Sequence, residues 1–216
     1  MKEEKVVIPS AAIRLEGLFS HQEALHFKGG VILCHPHPQN GGNMYNPVIS
    51  AAIEAASEEG FSTLRFNFRG VGKSEGSYGE GIGERDDVKA AIEYVSSRLE
   101  HSHLLLILLG YSFGAWTGLS VASEDVRIKG LVAIAPPLEL YDFSFLEKCK
   151  NRKLVIVGSE DLFCPTPVLE AWFQHLIEPK SLTLIQGADH FFFSHTHLLI
   201  QPLREFFRNM SSDYRV

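Results

Sequence analysis

The sequence predicts an α/β fold, with a mostly parallel sheet of about eight strands covered by helices on both faces. One pattern in the sequence predicts this fold class. Short aliphatic runs alternate with stretches of helical periodicity along the 216 residues, and this alternation is typical of parallel strands joined by crossover helices. No repeat, low-complexity tract or linker interrupts it, so we expect one domain spanning residues 1–216.

Six runs are predicted as strands because they are aliphatic or alternate in hydrophobicity. They are Val31–Cys34, Ser62–Phe68, Leu104–Leu109, Leu131–Ala135, Leu154–Val157 and Leu182–Ile185. An antiparallel hairpin at the sheet edge is predicted upstream, from Ile13–Phe19 and Ala24–Phe27.

Five stretches between and after these runs carry the spacing and end signals of helices. They are Pro47–Ser57, Glu84–Leu99, Ala115–Ala122, Pro165–Leu176 and His197–Arg208. In the second, Val88, Ala91, Ile92 and Val95 recur at helical spacing.

Composition excludes several classes of partner. The net charge is −6 and the basic residues are scattered, which argues against a nucleic-acid surface. The longest aliphatic run, Leu104–Leu109, is too short to span a bilayer.

Three widely spaced cysteines, Cys34, Cys149 and Cys164, argue against a disulfide framework. The first nine residues lack the apolar run of a signal peptide, so we expect a cytoplasmic protein.

A nucleophile motif follows the strand Leu104–Leu109. Gly110–Gly114 reads G-x-S-x-G, the tight strand-to-helix turn that exposes a serine hydroxyl above a sheet. A helix is predicted directly after it, beginning at Ala115. This setting predicts Ser112 as the nucleophile.

A second G-x-S-x-G match occurs at Gly72–Gly76, around Ser74. It lies in a Gly-rich loop with no helix directly after it, so we interpret Ser74 as a loop residue. The same loop does not match a phosphate-binding loop, because Asn67 occupies a position where that motif needs glycine. It does not match the dinucleotide-binding glycine motif either, because Glu75 occupies a position where that motif needs glycine.

A serine nucleophile needs a base and an orienting carboxylate. In proteins whose serine lies in such a strand-to-helix turn, the chain order after the serine is Asp or Glu, then His. Asp161 and His190 each lie just after a predicted strand and in that order. Glu160 is the alternative acid, and His195 and His197 are better explained as residues at a helix start. A zinc site of the three histidines lacks a fourth ligand and a familiar spacing.

Two backbone N–H groups are needed to hold the oxyanion of the intermediate. One is expected from Phe113, which follows the nucleophile, and the other from the loop after Val31–Cys34. In that loop Pro36 and Pro38 have no N–H, which leaves His37 as the predicted donor. A rigid turn without chemistry, or metal ligation by His35 and His37, are the alternatives.

Taken together, these motifs resemble those of the α/β-hydrolase superfamily, in particular small bacterial members near the dienelactone hydrolases and serine carboxylesterases. The resemblance extends over nearly the whole chain. It is carried by Leu33–Pro38 with Gly41–Met44, Phe66–Gly76, Gly110–Gly114, Gly158 with Asp161, and Gly187–Phe192. It implies a Ser112–Asp161–His190 triad, no metal or organic cofactor, and a structural turn at Arg69, Gly70 and Gly72.

Two features refine the resemblance. Dienelactone hydrolases use a cysteine nucleophile, so Ser112 argues against that specific activity. Many relatives insert a helical lid after the sixth strand, whereas Glu139–Arg152 is too short for one. We therefore expect a minimal lid or none, and an open site. Its candidate lining residues are Met44, Tyr45, Tyr141, Phe143 and Phe191.

The sequence thus predicts a serine hydrolase that acts on small carboxylic esters. A thioesterase or a small peptidase would use the same triad, and a non-catalytic binding protein on this scaffold is the third reading. The predicted partner is a small-molecule ester or thioester, with no nucleic acid and no membrane. The oligomeric state stays open between a monomer and a homodimer.

Overall fold

A computed structural model of the chain describes residues 3–21, 29–99 and 104–213. These residues contain one eight-stranded sheet. Its strands are β1 (Glu3–Ser10), β2 (Ile13–Ser20), β3 (Gly29–Cys34), β4 (Ser62–Phe66), β5 (Leu105–Tyr111), β6 (Ile128–Ile134), β7 (Arg152–Gly158) and β8 (Lys180–Ile185). The strand order is β1-β2-β4-β3-β5-β6-β7-β8. Strand β2 is antiparallel to β1 and β4, and all pairs from β4 to β8 are parallel, which confirms the predicted fold class.

The edge hairpin differs from the prediction. It is formed by β1 and β2, whereas the predicted partner segment 24–27 lies outside the described residues. In β1 the side chains of Val6, Ile8 and Ser10 are buried and those between them are exposed. Charged residues at the start of β1 and Pro9 within it obscure this alternation, and both are typical of an edge strand.

Five α-helices cover the sheet. They are α1 (Pro47–Glu58), α2 (Ile82–Arg98), α3 (Phe113–Ala122), α4 (Thr166–His175) and α5 (Ile200–Ser212). Helices α2, α3 and α4 contribute to one buried cluster, and α1 and α5 to a second. Alternate residues of the central strands enter the two clusters, with Ile32 in the first and Val31 in the second. The prediction of helices on both faces is therefore confirmed.

Between β6 and β7 the chain contains one short 3₁₀ turn, Ser144–Leu146, and no lid of helices. The last predicted helix also begins later than expected, because a 3₁₀ turn at Thr196–Leu199 precedes α5. No helix in the part of the chain that the structure describes is long and apolar enough to cross a membrane.

His35 joins the loops that follow β3 and β4. Its side chain is fully buried. Its Nε2 accepts a hydrogen bond from the backbone N–H of Phe68 at 3.0 Å, and its Nδ1 lies 2.6 Å from the carbonyl oxygen of Pro36. A carbonyl oxygen only accepts, so Nδ1 carries the proton and the ring is neutral. Burial lowers the pKa of His35 to about 4.

This buried histidine predicts a loss of stability in acid. The pKa of His35 is about 4 in the folded protein, below the ordinary 6.5 of an unfolded chain. As the pH falls between these values, the unfolded state binds a proton that the folded state does not. The free energy of unfolding should therefore fall by about 3 kcal/mol from this residue alone. Urea unfolding of wild type and His35→Gln between these pH values measures the difference.

His35→Gln should be less stable than wild type at neutral pH, because the two hydrogen bonds are perturbed, yet its stability should depend less on pH. Carboxylates that titrate in the same range are common to both proteins and cancel in the comparison. Parallel stability curves would contradict the assignment.

Candidate active site

Ser112 occupies a sharp turn between β5 and α3. Its backbone has φ 54° and ψ −120°, a strained conformation for a residue with a side chain. The flanking glycines make this turn compatible with close packing. A Cβ at Gly110 would lie 2.3 Å from the carbonyl oxygen of Gly114, and one at Gly114 would lie 2.3 Å from that of Cys34. Any side chain at either position would therefore displace the backbone.

The structure brings Ser112, His190 and Asp161 into one chain of hydrogen bonds. The Oγ of Ser112 lies 2.9 Å from Nε2 of His190. The Nδ1 of the same ring lies 2.8 Å and 3.0 Å from the two carboxylate oxygens of Asp161. Oδ1 of Asp161 also accepts from the backbone N–H groups of Phe163 and Cys164. All three side chains are largely buried, so the arrangement is fixed by packing.

Asp161 and His190 meet because the loops after β7 and β8 are joined. The backbone N–H of Glu160 donates to the carbonyl oxygen of Ala188 at 2.9 Å. Gly158 allows this approach, since a Cβ there would lie 2.2 Å from the same oxygen. The side chain of Glu160 is exposed, and it takes no part in the hydrogen-bond chain.

The other histidines of the final segment lie elsewhere. His195 precedes the 3₁₀ turn before α5, and His197 lies within it. Both ring nitrogens of His190 are engaged by Ser112 and Asp161, which leaves none for a metal. Among the described residues, no group of three or more His, Cys, Asp or Glu side chains is placed to hold a metal ion.

The two predicted oxyanion donors lie side by side. The rings of His37 and Phe113 are 4.9 Å apart, and both residues border the cavity at Ser112. In the described part of the chain, neither backbone N–H donates to a protein acceptor. Both amides are therefore unpaired with protein groups in the described part of the chain.

A side-chain network holds the His37 ring. Its Nδ1 accepts from the backbone N–H of Gln39 at 3.2 Å, so the proton of the neutral ring is on Nε2. This Nε2 lies 3.1 Å from the hydroxyl of Tyr78, which accepts the bond. Burial lowers the pKa of His37, which favours this neutral form.

The cavity over Ser112 has a volume of about 170 Å³. Tyr141 and Phe191 line it, as predicted. Its lining residues are Pro36, His37, Asn40, Gly41, Gly42, Asn46, Tyr111, Ser112, Phe113, Pro137, Leu140, Tyr141, Phe163, His190 and Phe191.

Three predicted lining residues lie elsewhere, and these predictions are corrected. Met44 is buried away from the cavity, with its N–H bonded to Asn67. Tyr45 is exposed and lies against the guanidinium of Arg65 at 5.2 Å. Phe143 is buried in the first core cluster. A loop sequence does not specify which of its apolar side chains face a cavity, and that uncertainty accounts for all three errors.

Sequence reasoning missed two residues that contact His190. The hydroxyl of Tyr111 donates to the backbone carbonyl of His190 at 3.0 Å, and the ring of Phe163 lies 4.7 Å from the imidazole. Tyr111 occupies the variable position before Ser112 in the motif. Its strand-end position beside the nucleophile was the available signal.

The serine hydroxyl of the second motif, at Ser74, is engaged in hydrogen bonds with the main chain. The hydroxyl of Ser74 donates to the carbonyl oxygen of Asn67 at 2.7 Å and accepts from the N–H of Glu16 at 3.0 Å. Nearby, Arg69 pairs with the fully buried Asp87 at 2.7 Å. These contacts stabilise the turn that includes Gly70 and Gly72, both with positive φ.

The fold and this site define a hydrolase-type protein, and comparison with known proteins places it in a family. The family of the alpha/beta hydrolase fold matches residues 31–152. An uncharacterized protein of Rickettsia prowazekii is 32% identical over 209 residues, covering 93% of this chain and 87% of the relative. The chain therefore belongs to the alpha/beta hydrolase family.

Two solved structures are similar over almost their entire length. An alpha-beta serine hydrolase homologue from Coxiella burnetii is 32% identical, with a TM-score of 0.86, and the match covers 95% of this chain and 98% of that one. A serine hydrolase without a lid from Xanthomonas campestris is 30% identical, with a TM-score of 0.85, and the match covers 97% and 95%. The lidless architecture is thus shared, and a hydrolase is supported.

The close packing at Gly114 predicts a large effect of a small change. Glycine to alanine ordinarily stabilises a helix, but at Gly114 the methyl group would meet backbone oxygens of Cys34 and His35. We expect Gly114→Ala to lower the free energy of unfolding by about 3 kcal/mol. Gly60→Ala is the control, because Gly60 has φ +84° and no atom within 4 Å of its Cβ position. Its cost should be about 1 kcal/mol, from backbone strain alone.

Urea unfolding measures both variants. Equal losses of stability would show that the contact between the turn and β3 is not restrictive.

Proposed function

We propose that this protein is a serine hydrolase that cleaves small carboxylic esters through an acyl-serine intermediate. The observation that carries the proposal is the hydrogen-bond chain from Ser112 through His190 to Asp161, at one side of an open cavity. A serine, a histidine and an aspartate in this order and geometry are the components of nucleophilic acyl transfer.

In the proposed first step, Nε2 of His190 takes the proton of the Ser112 hydroxyl while Oγ bonds to the acyl carbon. The carbonyl oxygen becomes an oxyanion, which the amides of His37 and Phe113 stabilise by hydrogen bonds. Asp161 keeps the proton of His190 on Nδ1 and stabilises the imidazolium. The bond from the acyl carbon to the leaving oxygen then breaks, and His190 gives its proton to that oxygen.

In the second step a water molecule replaces the leaving alcohol. His190 removes its proton, the hydroxide oxygen bonds to the acyl carbon, and the same two amides hold the second oxyanion. The bond to Ser112 Oγ breaks, Oγ regains a proton from His190, and the carboxylic acid is released. Each of these steps uses side chains and amides of this chain.

Two further expectations accompany this proposal. The acyl-serine chemistry applies equally to thioesters, so an ester and a thioester of the same acid belong in the substrate panel. A cytoplasmic location stays a prediction. The three cysteines are buried free thiols, which suits a reducing compartment.

The proposal is tested by replacing the nucleophile. Ser112→Ala should lower kcat on p-nitrophenyl acetate and butyrate by at least about 10⁴-fold, since the attacking oxygen is removed. It should also abolish labelling by a fluorophosphonate probe. Ser74→Ala changes the serine of the second motif and should keep both labelling and activity. Wild-type rates in Ser112→Ala would disprove the proposal.

Tyr78 is proposed to position the His37 amide through the His37 ring. Tyr78→Phe removes the hydroxyl that binds Nε2 but keeps the aromatic ring. Loss of a whole oxyanion donor lowers kcat by about 10² to 10³, so a displaced donor should lower it about 10-fold. Because the contact between Tyr78 and His37 is proposed to affect oxyanion stabilisation and not substrate binding, KM should change little.

Steady-state kinetics on p-nitrophenyl butyrate separate kcat from KM in Tyr78→Phe. Tyr94→Phe, which changes a tyrosine on α2, is the matched control and should retain wild-type values. A rise in KM at constant kcat would show that Tyr78 serves substrate binding.

A further inference from the structure

Exposed apolar side chains surround one side of the cavity. Leu140, Phe163, Phe191 and Phe193 are 58%, 36%, 53% and 71% exposed, respectively. The first three line the cavity at Ser112, and the ring of Phe193 lies 5.6 Å from that of Phe191. They come from the loops after β6, β7 and β8. We refer to these four residues as the apolar rim.

The loop that carries Phe191 and Phe193 holds them in this exposed position. Between them Phe192 is fully buried in the second core cluster and has φ 54°. A bulky residue at positive φ is a strained backbone outlier. Oδ1 of Asp189 accepts from the N–H groups of Phe191 and Phe193 at 3.1 and 3.2 Å. The loop is thus built, at a cost in backbone strain, to expose two aromatic rings.

The cavity also has a polar part to its lining. Asn40, Gly41, Gly42 and Asn46 from the loop after β3 line it, close to the His37 oxyanion donor. The lining therefore combines amides and glycines from the loop after β3 with apolar side chains from the loops after β6, β7 and β8.

His190 determines which part of the substrate faces the apolar rim. In the proposed reaction it protonates the leaving oxygen, so the leaving group must lie next to the imidazole. The rings of Phe163 and Phe191 flank that imidazole, at 4.7 and 5.4 Å. A leaving group that receives its proton from His190 would therefore lie close to these two rings.

We propose that the apolar rim is a subsite for the alcohol part of the substrate. The substrate class is an ester of a small acyl group with a bulky apolar alcohol, and aromatic alcohols fit best because rings pack edge-to-face with phenylalanine. The cavity of about 170 Å³, close in size to one that accommodates benzene, limits the part of the ester that lies directly over Ser112 to small groups. This inference rests on the proposed function.

The test compares two series of esters. The first varies the alcohol at a constant acetyl group: methyl, hexyl and 2-phenylethyl acetate, all below their solubility limits. The second varies the acyl group at a constant leaving group: p-nitrophenyl acetate, butyrate and hexanoate. Wild type should show kcat/KM rising along the first series, with 2-phenylethyl acetate above methyl acetate.

Phe193→Ala should reduce this preference. The ratio of kcat/KM for 2-phenylethyl acetate to that for methyl acetate should fall about 5-fold, or about 1 kcal/mol. In the second series the variant should change all three rates by the same factor. Phe193→Leu keeps an apolar side chain and should retain most of the preference. Val126→Ala truncates an 83% exposed apolar residue and should match wild type. Val126 precedes the amino end of β6, whereas the cavity lies at the carboxyl ends of the strands.

Three results would overturn the inference. An unchanged ratio in Phe193→Ala would show that the apolar rim does not contact the alcohol. An effect that grows with acyl length would assign the rim to the acyl group. If the ratio on the soluble esters is unchanged but Phe193→Ala weakens binding of the protein to phosphatidylcholine vesicles, the apolar rim would be assigned to contact with a lipid surface.

Failure of the inference is distinguishable from failure of the proposed function. If wild type hydrolyses methyl acetate and Ser112 is labelled by fluorophosphonate, the function stands whatever the alcohol series shows. If wild type neither hydrolyses any of the esters nor is labelled, the proposed function fails and the inference fails with it.

Discussion

The contact on which the rest of the site depends is the close approach of α3 to the end of β3. Gly114 has backbone oxygens of Cys34 and His35 at distances that exclude a side chain. This contact lets the turn at Ser112 hold its strained conformation, because the helix cannot relax away from the sheet. It also sets the spacing between the two proposed oxyanion donors, since one follows β3 and the other begins α3. One backbone contact thus links the positions of the proposed nucleophile and the proposed donors.

A second set of contacts positions Asp161 and His190, the proposed acid and base. The loops after β7 and β8 are joined by the backbone hydrogen bond from Glu160 to Ala188, and the carboxylate of Asp161 is held by two N–H groups of its own loop. His190 is fixed from the other side, where Tyr111 binds its carbonyl oxygen. Tyr111 belongs to β5, so the base is tied to the strand that carries the nucleophile. The site is preorganised by main-chain geometry at the carboxyl ends of neighbouring strands.

The sequence predicted well what depends on period and on fixed local motifs. Aliphatic runs such as β5 read clearly, and the elbow around Ser112 has a strand before it and a helix after it. It did not predict β1, because an edge strand tolerates charges and Pro9 that mask its alternation. Met44 and Tyr45 were misplaced because the direction of a loop side chain depends on tertiary contacts. The role proposed for Tyr78 was missed for the same reason, since it contacts His37 from 41 positions away.

The absence of a lid changes where selectivity has to come from. A lid would enclose the substrate and supply most of its contacts, whereas here the chain between β6 and β7 forms only a short turn within the described residues. The exposed large apolar side chains that line the cavity, Leu140, Phe163 and Phe191, belong to the loops after β6, β7 and β8. In one of them Phe192 has φ 54°, and its buried side chain anchors the loop between the two exposed rings. In a site of this kind, the rings that contact the proposed base are the side chains best placed to recognise the leaving group of the proposed reaction.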